Sequence, residues 1–239
     1  MKFSKIVIII LIFQVFLLLV SFGQQKGDLT NPTEIINNAI KALGGKDYLL
    51  TIKTLYTDMS TEMEGRQVDW ITKEMLPNKG AFQIVYNNRI VYQDWFDGEN
   101  GFEVVNGKKT KADDNEFKDK KFKRNIFDEL DYVDTTLWKL ELLGDQKINN
   151  EDCYKIKATL INGLVKILYI SKATFYTLRE DEVSNPEKDS FTTTTFSDYK
   201  KFGQLTFYTV MKFGEGDSLQ TGKIVSLLMN EKITDNDFK

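Results

Sequence analysis

The carboxylates Asp94, Asp97 and Glu99 are the first place in this chain to look for a reaction. Two carboxyl groups about 5–10 Å apart can act as acid and nucleophile on a glycosidic bond, and carboxylate oxygens can also ligate calcium. Here Asp97-Gly98-Glu99-Asn100-Gly101 has the composition of a solvated hairpin loop, and no regular ligand spacing continues beyond it. The chain has no histidine and a single cysteine, Cys153. The absence of histidine removes Ser–His–Asp and Cys–His catalysis and the commonest general base. One cysteine forms neither an internal disulfide nor a thiolate metal cluster. Cys153, next to Tyr154, reads as a small packed hydrophobe. No Gly-rich phosphate-binding motif is present. These residues predict a protein that is not an enzyme and carries no metal and no cofactor.

The elements that must position any function begin with an address. Lys2 and Lys5 precede an apolar run from Ile6 to Val20 broken only by Gln14, and Ser21-Phe22-Gly23 puts small residues before Gln24. This predicts a cleaved secretory signal peptide over 1–23 and export from the cytoplasm. The apolar run falls short of the roughly 20 residues a spanning helix needs. Cleavage leaves 24–239, a length that suits one all-β domain. The chain's net charge is −3, and its lysines are scattered among acids, as in KADDNEFKDKKFKRN. Nucleic acid, which demands a clustered basic footprint, is therefore not an expected partner.

A helix is predicted from Thr33 to Leu43, with Ile35, Ile36, Ala39, Ile40 and Leu43 on one face, a cap at Asn31 or Thr33, and Gly44-Gly45 ending it. A ladder of short strands follows. Asn87-Asn88, Asn106-Gly107 and Asn162-Gly163 sit between aromatic and β-branched runs, and such pairs tolerate the positive φ of tight hairpin turns. Strands are expected at 52–63, 66–76, 80–87, 89–96 and 101–105, and again at 139–147, 152–161, 164–171, 174–183, 190–199, 204–213 and 220–230. Between the two sets, 113–142 shows almost no β signal. Asp113-Asp114 can cap a helix over 114–122, a second helical stretch falls at Ile126–Leu130, and another falls near 134–138. An interruption of that length is a lid or plug over 113–138 rather than a turn.

Many strands are apolar on both faces. Phe82, Ile84 and Tyr86 oppose Ala81 and Val85; Leu164, Leu168 and Ile170 oppose Val165, Ile167 and Tyr169. A strand with one solvated face would alternate with polar residues. The expected fold is mainly β: a strongly curved antiparallel sheet covered on its concave side by the N-terminal helix and the helical insertion. A filled core and an open apolar cleft both satisfy this pattern.

Several segments resemble the periplasmic outer-membrane lipoprotein carrier and lipoprotein-sorting (LolA/LolB-like) superfamily, in its mostly uncharacterised sorting-protein-like branch. They are Ala42-Leu43-Gly44-Gly45-Lys46-Asp47, Ile52-Lys53-Thr54, Leu76-Pro77-Asn78-Lys79 and Asp97-Gly98-Glu99-Asn100-Gly101-Phe102. Leu143-Gly144 with Cys153-Tyr154-Lys155-Ile156, Tyr169-Ile170-Ser171-Lys172-Ala173-Thr174, and Phe196-Ser197-Asp198-Tyr199-Lys200 before Gly203 continue the order. Two positions depart from the pattern: Leu205-Thr206-Phe207 stands where an aromatic-Pro is common, and Gly80-Ala81-Phe82 stands where an Arg often follows the Pro-Asn-Lys turn. The resemblance implies a half-barrel of about 11 strands with a helical lid over an apolar cavity.

The expected function is a carrier whose partner is a lipid or a lipoprotein acyl chain, in lipoprotein sorting or envelope lipid handling. The candidate lining is Trp70, Phe82, Ile84, Tyr92, Trp95, Leu168, Phe207 and Met211. The alternative is a non-enzymatic envelope sensor or interaction module on the same scaffold, with a protein partner.

Overall fold

The structure, a computed structural model, describes residues 28–185, 190–214 and 218–239. The expected signal peptide at 1–23 lies outside them, as do parts of the turns expected at Asn185-Pro186 and Gly214-Glu215-Gly216. Residues 28–30 are the described part of a separate N-terminal unit, and 31–239 form one compact unit.

Helix α1 (Pro32–Leu43) forms as its pattern requires. Asn31 accepts a hydrogen bond from the Thr33 N–H at 2.9 Å, Pro32 occupies the first turn, and Ile35, Ile36, Ala39, Ile40 and Leu43 are buried. Gly44 ends it at φ 140°, a conformation side chains avoid. A Cβ there would also sit 2.8 Å from the Gln204 carbonyl oxygen, so the helix end lies tight against a neighbouring hairpin. A short helix, α2 (Lys46–Leu49), follows.

The first run of strands is β1 (Thr54–Met63), β2 (Arg66–Met75), β3 (Lys79–Tyr86), β4 (Arg89–Phe96), β5 (Gly101–Val105) and β6 (Lys108–Lys111). The second is β7 (Trp138–Ile148), β8 (Glu151–Leu160), β9 (Val165–Ser171), β10 (Thr177–Asn185), β11 (Ser190–Ser197), β14 (Val210–Phe213) and β15 (Gln220–Met229). The pairs Glu64-Gly65, Asn87-Asn88, Asn106-Gly107 and Asn149-Asn150 all hold φ positive at both residues, which matches the right-handed twist of the strands they join. All thirteen strands make one antiparallel sheet, in the order β6-β5-β4-β3-β2-β1-β15-β14-β11-β10-β9-β8-β7. It is a curved half-barrel, not closed.

Three strands went unforeseen: β6, β12 (Lys200–Phe202), and one of the two into which the 204–213 run divides. β6, Lys108–Lys111, is wholly polar and exposed, so it carries no apolar alternation. The run expected as one strand over 204–213 breaks at Tyr208-Thr209 into β13 (Leu205–Phe207) and β14. β13 pairs with β12 (Lys200–Phe202) as a separate ribbon, while β11 and β14 pair directly beneath it.

The two edge strands, β6 and β7, are consecutive in sequence, so residues 112–137 must cross from one edge of the sheet to the other. Thirteen strands laid flat would separate those edges by roughly 55–60 Å; curvature shortens the crossing. The crossing segment is less helical than expected. The helix expected over 114–122 is replaced by turns and one 3₁₀ turn, Lys120–Phe122, because the Asp113 carboxylate accepts from Asn115 N–H at 2.8 Å and closes a local turn. The second helix, α3 (Asp128–Tyr132), is five residues long and starts two residues late. The third is absent: Asp134 accepts from Thr136 N–H and Oγ1, and β7 begins at Trp138.

Candidate functional site

Strand pairing sorts side chains onto two faces. Leu55, Met59, Trp70, Glu74, Phe82, Ile84, Tyr92, Leu168, Glu180, Phe196 and Met211 share the inner face, which the crossing segment, α1 and the β12–β13 ribbon cover. Tyr56, Ala81 and Trp95 lie on the outer face with Ile233 and with Phe238 of the C-terminal 3₁₀ turn, Asp235–Phe238.

Between the inner face and its cover is a cavity of about 230 Å³. The sheet contributes Leu55, Glu74, Leu168, Glu180 and Phe196; the cover contributes Leu43, Ile126, Phe127, Glu129 and Tyr132. Phe207, Tyr208 and Tyr199 complete one aromatic wall. Phe207 stacks on Tyr208 at 4.2 Å, Tyr208 lies 4.7 Å from Phe196, and Phe127 meets Phe207 edge-on at 6.5 Å.

An ion cluster pins the lid beside this wall. Lys123 of the lid contacts Glu74 of β2 at 2.9 Å and Asp128 of α3 at 3.1 Å. Lys166 of β9 contacts Glu180 of β10 at 2.9 Å and Asp128 at 3.5 Å. Lys120 reaches Glu74 at 3.5 Å. Burial opposes charge on all of them, but the partners outweigh it: Asp128 and Glu74 are held below the usual carboxylate range and Lys123 and Lys166 above the usual ammonium range. The cluster separates the apolar cavity from a second, more polar one of about 400 Å³ that includes Glu116, Asp119 and Glu182.

Glu129 behaves differently. It lines the apolar cavity, and apart from its own backbone N–H no donor or cation among the described residues contacts its carboxylate. Burial, with Asp128 and Glu180 nearby, pushes it up to about 7.

The expected lining residues fall into four places. Leu168 and Phe207 line the cavity. Trp70, Phe82, Ile84 and Met211 form an inner-face cluster beside it, with Met59 and Val68; Tyr208 packs against this cluster as well as lining the cavity. Tyr92 lies at its rim, 38% exposed, its ring 6.2 Å from Phe82 and its hydroxyl donating to Asp94 at 2.9 Å. Trp95 is on the outer face, stacked on Phe102. Sequence reasoning missed Phe127, Tyr199 and Tyr208, which come from irregular segments, and Glu129 and Tyr132, which come from the one-turn helix α3; none sits where a two-residue period exists to assign a face.

Two of the three carboxylates first considered for chemistry serve local structure. Asp97 accepts from the Glu99 and Asn100 N–H groups, both at 2.8 Å, and Asp94 is taken by Tyr92. Cys153 is fully buried, and burial pushes its thiol up to about 11, out of the reactive range.

An open antiparallel half-barrel with a lid across its inner face and an aromatic-walled cavity beneath defines the class: a LolA-like fold. No protein-family model matches the sequence, and no curated protein matches it. Solved structures do. A LolA superfamily protein from Nitrosomonas europaea superposes with a TM-score of 0.60 at 11% identity, covering 89% of this chain and 98% of the other. A DUF1329 family protein from Desulfovibrio piger gives 0.58 at 17% identity, covering 88% and 98%. A Vibrio parahaemolyticus protein described as an outer-membrane lipoprotein-sorting domain gives 0.56 at 13% identity, covering 86% and 95%. The likeness is one of fold. No described helix is long and apolar enough to cross a membrane.

Proposed function

We propose that this protein is a non-enzymatic periplasmic carrier that holds a lipid or a lipoprotein acyl chain against the inner face of its sheet, after export directed by residues 1–23. The observation that carries the reading is the cavity under the lid, adjoined through Tyr208 by the Trp70–Phe82–Ile84–Met211 surface. Burying an acyl chain on such a surface yields roughly 25 cal/mol per Å². The lipoprotein-sorting description of a structural neighbour supports the same reading. A cavity of about 230 Å³ is below the roughly 300–1,000 Å³ of ordinary ligand pockets. A long chain therefore requires the lid to lift, or it runs out over Phe82 and Tyr92. Native mass spectrometry of the purified protein should show co-purified lipid, and an uncharged fluorescent acyl-chain probe should bind and be displaced by lipid extract. A lipid-free spectrum together with no probe binding overturns the reading.

A further inference from the structure

Resting on the carrier reading, we propose that the cavity selects amphiphiles that carry an ammonium group, with the Glu129 carboxylate as the counter-charge and the Phe127–Phe207–Tyr208–Phe196 wall as the surface that receives the cation. Three observations converge.

The first is charge balance. Glu74, Asp128 and Glu180 are matched by Lys120, Lys123 and Lys166 at 2.9–3.5 Å. Glu129, a fourth carboxylate at the same cavity, has no such match among the described residues. Glu129 is half-buried at this cavity, with Lys123 a cation acting on it and no ion pair of its own among the described residues. A carboxylate drawn part-way out of water without a partner is costly, and a ligand cation is the group that relieves the cost.

The second is the wall. Ring faces attract cations electrostatically, and quaternary ammonium groups in particular are held by aromatic cages. Here Phe127, Phe196, Tyr199, Phe207 and Tyr208 line the cavity that Glu129 faces. A fatty-acid anion in the same place would meet the Glu129 charge instead.

The third is the unused hydroxyl. Among the described residues, Tyr199 Oη is occupied by the Thr177 carbonyl at 2.6 Å and Tyr132 Oη by Glu180 at 3.4 Å, while Tyr208 Oη has no hydrogen-bond partner. It is available to the polar neighbour of an ammonium, such as a phosphodiester or hydroxyl oxygen.

Binding is then pH-dependent, because Glu129 pairs with a cation only when ionised. The titratable groups that share its cavity are Asp128 and Tyr132 on its own helix, Lys123 of the lid, Glu74 of β2, Glu180 of β10, and Tyr199 and Tyr208. Asp128, Glu74, Lys123 and Lys166 are shifted away from neutrality, which leaves Glu129 as the group that changes charge near pH 7.

The test uses dodecyltrimethylammonium, whose charge does not titrate, against dodecanoate and the uncharged dodecyl maltoside, all below their micellar concentrations. Calorimetry or probe displacement is run at pH 6 and pH 8. For the wild-type protein the ammonium probe should bind about tenfold more tightly at pH 8 than at pH 6, and the maltoside should not change. Glu129→Gln should abolish that pH dependence and cost the ammonium probe about tenfold at pH 8, leaving the maltoside unaffected. Phe207→Leu should weaken the ammonium probe more than the maltoside and keep the pH dependence. Equal binding of all three probes, unchanged in Glu129→Gln, overturns cation selection and leaves the carrier reading intact. Binding of none of them overturns both.

Discussion

At the scale of single residues, Glu129 is a stability cost retained at a cavity. Its folded pKa of about 7 lies above that of an unfolded glutamate, so between about pH 4.5 and 7 the native state binds more protons than the unfolded chain and stability falls as pH rises. Glu129→Gln should therefore stabilise the ligand-free protein by on the order of 1–3 kcal/mol at pH 8 and by little at pH 5. Urea unfolding at the two pH values measures this, and equal shifts at both would show that the carboxyl is not strained. Phe238 makes a contrasting case on the outer face. It is 2% exposed and packs with Tyr56, Trp95 and Ile233, while Lys73 and Asp237 pair at 2.6 Å alongside. Phe238→Ala should cost about 3–5 kcal/mol in the same unfolding experiment, with no change in ligand binding, because the residue lies on the face away from the cavity.

At the scale of elements, the lid is held by charge and aromatic packing more than by helix formation. Only five of its residues form an α-helix. Phe117 stacks on Phe96 at 5.8 Å and fills the space above Gly101, where a Cβ would collide with its ring. Lys123 holds both Glu74 and Asp128. Lys123→Met should leave Glu74 with only Lys120 and the half-exposed Asp128 with only Lys166, destabilise the protein by on the order of 1–2 kcal/mol, and speed amide exchange across 113–137 before the strands beneath. Because Asp128 and Glu74 are held below the ordinary range, this cluster's contribution is present at neutral pH and is lost only as acid passes below about pH 4. The contrast between lid and sheet explains what the sequence disclosed. Hairpins were legible because a pair such as Asn87-Asn88 or Asn106-Gly107 specifies its turn by itself. The helix at 33–43 was legible because period, cap and terminal glycine agree. The lid's interruption was visible but its form was not, since Asp113 and Asp134 spend their carboxylates on local turns that compete with helix. β6 was invisible because an exposed edge strand needs no apolar face.

At the scale of the whole molecule, the sheet's two edges and its covered inner face are the competing sites of action, and they are physically separable. Alternation within each strand showed that both faces are apolar, but only pairing across β1, β2, β3 and β4 places Trp70, Phe82 and Ile84 inside and Trp95 outside. Parity inside one strand carries no record of which face the lid crosses. A carrier uses the inner face. A sensor or interaction module uses β6, which is exposed and paired only with β5, or the hairpin tip where Ile90 and Val91 are 52% and 61% exposed; an unpaired edge can accept a partner's strand. Ligand supplied at about a hundred times its dissociation constant should raise the unfolding free energy by about 2.7 kcal/mol. In hydrogen exchange, the added protection should appear in α1, the 112–137 crossing and Leu205–Tyr208, the segments that roof the cavity, while β6 exchanges as before. Protection confined to β6 and the 87–92 tip on addition of envelope extract, with none at the roof, would instead make the sheet a docking scaffold and the cavity an incidental gap in its packing.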